Sequence, residues 1–246
     1  LLGFLPGLLA PAARAESGPV QIYAAMIFRP ALDQVLAGYR DAGGAATAVY
    51  GPTPLLVRQL EAGAPADILF TADPDWMDVA DHKSLIQAAT RSNVLSNTLV
   101  LAGASDMAPI GEITKEFALE TVLRGGRLAM CDPQNDPAGR YAKQSFQALG
   151  FWEMVAPRIA IAESAPGAVV MVERGEVGAA VCFATDLHGA AHATLIGVFP
   201  AASHAPIVYP IALAAHAPSP HAAEALAFLR APAALRIFAG FGYGMA

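Results

Sequence analysis

The chain has 246 residues, 55% of them hydrophobic, enough to bury the core of one large domain or two smaller ones. A net charge of −6 with only 15 Lys plus Arg argues against a nucleic-acid or anionic-membrane surface, while leaving room for one small positive pocket. Residues 1–15 are apolar, too short to span a bilayer, and end in the small-x-small pattern Ala13-Arg14-Ala15. They read as a secretory signal cut before Glu16, the other reading being a flexible apolar tail. No Cys lies near the cut and no later stretch offers 18 uninterrupted apolar residues, so the expectation is an exported, soluble, periplasmic protein without a lipid anchor.

From residue 19 onward the chain alternates strands and helices. Residues 19–25 read as a strand, after which Met26-Ile27-Phe28-Arg29 turns into a helix opened by Pro30. Leu32, Val35, Leu36 and Tyr39 recur there at the spacing of one buried helical face. Residues 46–50 are the next strand. Residues 53–73 are the most legible stretch. Thr53 is expected to cap a helix and Pro54 to take its first position, where a missing N–H costs nothing, with Leu56, Val57 and Leu60 on one face. Gly63 ends the helix and Pro65 forbids its continuation, so Ile68-Leu69-Phe70 emerges as a short apolar strand of the kind buried in a parallel sheet. Asp73-Pro74 opens another helix.

Further along, 98–103, 127–131, 159–162, 178–183 and 207–213 read as strands. A helix opened by Pro137 turns Tyr141, Ala142, Phe146 and Leu149 inward, and 167–174, 222–229 and 233–238 are helical. The alternation predicts an α/β fold with mainly parallel strands. Four helix starts, Arg29-Pro30, Thr53-Pro54, Asp136-Pro137 and Ala165-Pro166, follow strands or turns in this scheme. Helix N-termini at the carboxyl ends of strands present unpaired N–H groups and partial positive charge, and together could hold an anion without a net cation. Proline is also common at helix starts for purely local reasons, and spacing alone does not make these four converge.

Several blocks carry a resemblance to a known family: Arg58-Gln59-Leu60-Glu61-Ala62-Gly63-Ala64-Pro65-Ala66-Asp67, Ala72-Asp73-Pro74-Asp75-Trp76-Met77-Asp78, Gly126-Arg127-Leu128-Ala129, Asp132-Pro133, Pro137-Ala138-Gly139 with Tyr141-Ala142-Lys143, and Val172-Glu173-Arg174. In this order and over this length the chain resembles the periplasmic molybdate-binding proteins of ABC transporters. The resemblance implies a two-domain periplasmic binding protein type II fold, each domain a mainly parallel sheet flanked by helices, closing on a ligand in the cleft between them. Residues 16–97 and 203–246 would form domain I and residues 98–202 domain II.

The resemblance also implies ligand positions, and there this sequence departs from the family. The serine that donates to the oxyanion after the first strand is Ile27, the second serine is Thr53, and the tyrosine after the strand at 178–182 is Phe183. Ala138 and Ala165 match positions that contribute backbone amides. Two of three side-chain donors are thus replaced, at about 1–3 kcal/mol for each lost hydrogen bond to charge. Arg29 stands two residues beyond Ile27 and Arg140 two beyond Ala138, so both are candidates for holding a larger anion, with Met26, Ile27 and Phe183 against its apolar part. Either arginine could equally be a solvated helix end.

Cys131 and Cys182 each end a strand of the second domain. They suit a disulfide if those strands are neighbours, or two buried thiols, or, with Met26, a soft-metal site, although no regular ligand spacing is present. Of six histidines, His188 and His192 have i, i+4 spacing that would suit a metal with Asp186. The segment contains Gly and lacks a HExxH glutamate, so surface residues are the plainer reading. No nucleophile elbow, P-loop or dinucleotide fingerprint is present, and no enzyme residues can be named. The reading is a monomeric receptor without metal or other cofactor, taking a small anion, molybdate or tungstate or an organic acid, to an ABC permease. A sensor for a membrane signalling partner and an enzyme on the same scaffold are the alternatives.

Overall fold

The computed structural model describes residues 18–246, so the expected signal segment lies outside the described residues. The chain starts with β1 (Val20–Ala25), a 3-10 turn at Met26–Phe28 and α1 (Arg29–Asp41), then β2 (Ala46–Gly51), α2 (Thr53–Glu61), β3 (Ile68–Phe70), α3 (Pro74–His82) and β4 (Ser92–Ser96). It then crosses into a second sheet with β5 (Leu99–Ala104), β6 (Gly111–Glu112), α4 (Leu119–Leu123), β7 (Leu128–Met130), α5 (Pro137–Leu149), α6 (Trp152–Val155), β8 (Ile159–Ile161), α7 (Ala165–Glu173), β9 (Ala179–Phe183) and β10 (Ala193–Val198). It returns through β11 (Val208–Leu213), α8 (Ala222–Leu229), α9 (Pro232–Gly240) and β12 (Gly244–Met245).

Two six-stranded sheets result, ordered β12-β4-β11-β3-β1-β2 and β6-β10-β5-β9-β7-β8. Each has a parallel part, β3-β1-β2 in the first and β9-β7-β8 in the second. The strands were expected to be mainly parallel; the sheets are mixed, and the connectivity explains why. The chain runs from β4 straight into β5 and comes back from β10 into β11 in the opposite sense. Both sheets therefore acquire antiparallel pairs, β11 with β3 and β4 and β12 with β4 in the first, β5 with β9 and β10 in the second. Pro210 sits inside β11, where it cannot donate to a ladder, and the register with β4 shifts at Tyr209/Pro210 to accommodate it.

The parallel parts fold as the apolar pattern dictates. Leu32, Val35, Leu36 and Tyr39 of α1 are buried, each aliphatic one contributing about 1.5–3 kcal/mol by leaving water. They pack in a core where the rings of Phe28 and Phe70 stack at 3.9 Å between centroids. In both sheets the first strand of the parallel part lies between the next two, so the connections leave it in opposite directions. This places a crevice at the carboxyl ends of β1 and of β7, the position where open α/β sheets receive ligands.

A candidate ligand cleft between the two sheets

A cleft of about 480 Å³ opens at the carboxyl ends of β1, β8 and β9. From the first sheet's side Met26, Ile27, Pro30 and Ala31 line it; from the second come Ser164 and Pro166 at the start of α7 and Thr185, Asp186 and His188 after β9; Phe241 and Tyr243 close it from the C-terminus. Met26 and Ile27 are 47% and 38% exposed, unusual for such side chains, because they face this space. The Tyr243 hydroxyl donates to the Ile27 carbonyl at 2.7 Å and fixes the turn from a point 216 residues away.

The back of the cleft is tied across the crossing between the sheets. Asn97, which directly follows β4, donates from Nδ2 to Thr185 Oγ1 at 2.9 Å and to the Tyr209 hydroxyl at 3.0 Å, and its Oδ1 accepts from Thr98 N at 2.9 Å. The rings of His188 and Phe241 meet at 4.7 Å between centroids. Asp186 accepts from Phe183 N at 2.8 Å and is the one carboxylate among the described residues that line the cleft. Burial above all, with a smaller push from the nearby charge of Asp136, raises its pKa to about 6 against the opposing pull of that N–H.

Of the four expected helix starts only those of α1 and α7 line the cleft, Thr53, Ala138, Ala165 and Phe183 are not among its lining residues, and the four starts differ in what their amides do. The expected Thr53 cap is corrected: α2 begins at Thr53 itself, Pro52 is the cap through its carbonyl, which accepts from Leu55 N and Leu56 N, and the buried Thr53 hydroxyl accepts from Ala72 N at 3.3 Å. Pro52 fits because the cap residue keeps an extended backbone and need donate nothing. The Thr53 proton has no acceptor among the described residues and remains a donor. The starts of α1 and α2 carry no side-chain cap. On α7, Ser164 Oγ takes Gly167 N at 3.1 Å, and Ala165 N has no acceptor among the described residues. On α5, Asp136 Oδ1 takes both Ala138 N at 2.8 Å and Gly139 N at 3.3 Å.

The arginines are not in the cleft lining. Arg29 reaches Asp33 at 3.8 Å and lies over the Tyr50 ring at 5.4 Å, drawn by a carboxylate one turn along its own helix. Arg140 reaches Asp75 of α3 at 3.5 Å and thereby bridges the two sheets' helices beside a gap lined also by Pro74, Asn93, Tyr141 and Gln144. Phe183 packs half-buried between two apolar clusters, and Ala138 and Ala165 are buried. Cys131, directly after β7, and Cys182, on the neighbouring β9, are buried free thiols; burial is the largest influence on both and pushes them well above the usual thiol range. Among the described residues no trio of His, Cys, Asp or Glu is placed to hold a metal ion, and no helix is long and apolar enough to cross a membrane.

Comparison with known proteins decides the family. The profile of the bacterial extracellular solute-binding proteins matches residues 20–244. The chain belongs to that family. The molybdate-binding protein ModA of Escherichia coli is 33% identical over 238 residues, covering 94% of this chain and 91% of that protein, and ModA of Haemophilus influenzae is 30% identical over 231 residues, covering 93% and 91%. Among solved structures, the substrate-binding domain of a putative molybdenum ABC transporter from Clostridium difficile superimposes with a TM-score of 0.81 at 22% identity, over 94% of this chain and all of that one. As a solute-binding protein the chain is a receptor and not an enzyme, with the two-domain periplasmic binding protein fold.

Not every hollow of this solute-binding protein suits an anion. A second cavity of about 510 Å³ lies where the chain enters β3, lined by Gly63, Pro65, Lys83, Leu85 and His216 among others. It abuts the carboxyl ends of α2 and α3, whose partial negative charge disfavours an anion. The cleft residues that sequence reasoning passed over are Asp186 as a wall carboxylate, Thr185, His188, Phe241 and Tyr243. A carboxylate three residues after Phe183 at a helix start is a legible capping signal. Tyr243 has no local signal at all.

Proposed function

We propose that this solute-binding protein is the periplasmic receptor of an ABC importer and binds an oxyanion of the molybdate and tungstate class in the cleft between its sheets. The observation that carries this reading is the meeting of two helix starts without a charged cap, α1 and α7, at the carboxyl ends of parallel strands around one space. Unpaired amides and aligned peptide dipoles there attract negative charge without a cationic side chain. The names of the relatives point to the same ligand class. In this reading the Thr53 hydroxyl and the amides of Ile27, Ala138 and Ala165 face the anion, Met26 and Phe183 form apolar walls, and the lobes are 16–97 with 203–246, and 98–202. Arg29 and Arg140 act outside the first contacts. Closure of the lobes on the ligand presents a monomeric, loaded form to the permease.

A second reading draws on the apolar wall of Met26, Ile27, Pro30, Phe241 and Tyr243, which favours a larger anion with a carbon body. A thermal-shift panel separates the two. Ligand at about 100 times Kd adds roughly 2.7 kcal/mol of stability. A midpoint rise with molybdate and tungstate supports the first reading. A rise confined to small carboxylates or phosphate esters supports the second, and no rise with any of these anions overturns both.

A further inference from the structure

We propose that capture of an anion in the cleft is coupled to uptake of a proton by the Asp186 carboxylate, so that binding weakens as the pH rises and this wall of the cleft becomes charged. The inference rests on the oxyanion reading above and adds to it a control on affinity. Asp186 is half-buried on the cleft wall, in the turn after β9 that also places Thr185 and His188 there. Its Oδ2 accepts from Phe183 N at 2.8 Å, and among the described residues Oδ1 accepts from no donor.

No positive group balances this carboxylate. Among the described residues no Lys or Arg lines the cleft and Asp186 joins no ion pair, since Arg29 is held by Asp33 and Arg140 by Asp75. The ionisable groups near enough to sense its charge are the Asp136 carboxylate at the start of α5, the thiols of Cys131 and Cys182, and the phenols of Tyr209 on β11 and Tyr243. All are neutral or negative. Of the elements packed against this turn, β9 carries only Cys182, β5 and β10 carry no ionisable residue, and α7 carries only Glu173, whose carboxylate accepts from Ala191 N and His192 N. His188 is the one lining group able to become positive.

Burial in these surroundings holds the proton of Asp186 up to about 6, so above that pH the ligand-free cleft carries a negative charge where an anion must enter. An entering anion opposes that charge and draws a proton from solvent onto the carboxylate. The neutral acid keeps one oxygen for Phe183 N and gains an O–H on the other, a donor that the side chains of Ile27 and Phe183 lack. By linkage, affinity is greatest below about 6 and falls as the pH rises above it.

Calorimetric titration with molybdate at about pH 6, 7 and 8, where molybdate stays a dianion, tests this in the natural chain, Asp186→Asn and His188→Gln. Each titration is run in two buffers of different ionisation heat, so that the difference in observed heat counts the protons taken up. Asn resembles the protonated acid and keeps an acceptor for Phe183 N, and the proton count in the natural chain keeps the test decisive if this variant fails to fold. With the bound anion raising the carboxylate by about one to two further pH units, affinity is expected to be about fivefold or more weaker at pH 8 than at pH 6. Roughly 0.4–0.8 of a proton should be taken up per anion at pH 7. In Asp186→Asn the slope should flatten, with binding at pH 8 about fivefold or more tighter than in the natural chain, whereas His188→Gln should keep the slope. Equal affinity across the range with buffer-independent heat overturns the coupling and leaves the oxyanion reading standing. A slope that survives in Asp186→Asn overturns the role of Asp186, and its loss in His188→Gln instead assigns the proton to the histidine. Absence of binding in every form at every pH overturns both.

Discussion

Ile27 and Asp186 show how single side chains shape this cleft. Ile27 exposes a hydrocarbon where a donor would serve an anion, while its carbonyl is held by Tyr243. Ile27→Ser should tighten molybdate binding by about tenfold, the value of one hydrogen bond to charge at the lower end of about 1.5–3 kcal/mol, as measured by titration. Asp186 has a folded pKa of about 6 against an ordinary carboxylate value, so the native state holds its proton more tightly than the unfolded chain does. Its contribution to stability is full below the unfolded pKa and is lost as pH rises through about 6. Asp186→Asn should therefore flatten the fall in stability between pH 4 and 7 and raise the unfolding midpoint at pH 7, on the order of 1–3 kcal/mol, checked by denaturant melts across that range. The thiols of Cys131 and Cys182, both buried and raised in pKa, should resist a water-soluble thiol reagent in the native protein and yield two equivalents once it is unfolded.

At the scale of elements, the start of α5 is held by close packing as well as by its cap. A Cβ on Gly139 would lie 2.2 Å from the Asp132 carbonyl oxygen and 2.5 Å from that of Cys131. Gly139→Ala should push α5 off the end of β7 and cost several kcal/mol, seen as a lowered denaturation midpoint together with weakened ligand binding. The parallel units were legible in the sequence because their signals are local: the helical spacing of Leu32, Val35, Leu36 and Tyr39, the Gly63 and Pro65 stop, and the apolar run Ile68-Leu69-Phe70. The strands β4 and β10 were not. β4, Ser-Asn-Val-Leu-Ser, is half polar and β10 is interrupted by a register shift at Ile196, so both owe their state to partners across the sheet. The site was legible in part for the same reason. Met26 and Ile27 follow β1 directly, whereas Tyr243 and Phe241 reach the cleft only through the return of the chain, and the direction in which Arg29 and Arg140 point depends on Asp33 and Asp75.

For the molecule as a whole, the two sheets are joined by two crossings, and what spans the gap between them is small. The Asn97 hydrogen bonds and the His188–Phe241 contact lie at the back, and the Arg140–Asp75 pair lies beside the cleft. An exposed ion pair of this kind adds about 0–1 kcal/mol to stability, yet it acts on the relative position of the lobes. Arg140→Ala should leave the unfolding midpoint nearly unchanged while increasing the radius of gyration of the ligand-free protein in solution scattering. A compact profile identical to that of the natural chain would remove the pair from the closing equilibrium.

The central claim is that an oxyanion is captured in the cleft between the sheets. Its most direct test is a calorimetric titration of the natural chain with molybdate beside an Ile27→Trp variant, whose larger ring fills the cleft. The account predicts saturable one-to-one binding in the natural chain and its loss in the filled variant. Absence of binding in the natural chain, or undiminished binding with the cleft filled, would contradict it.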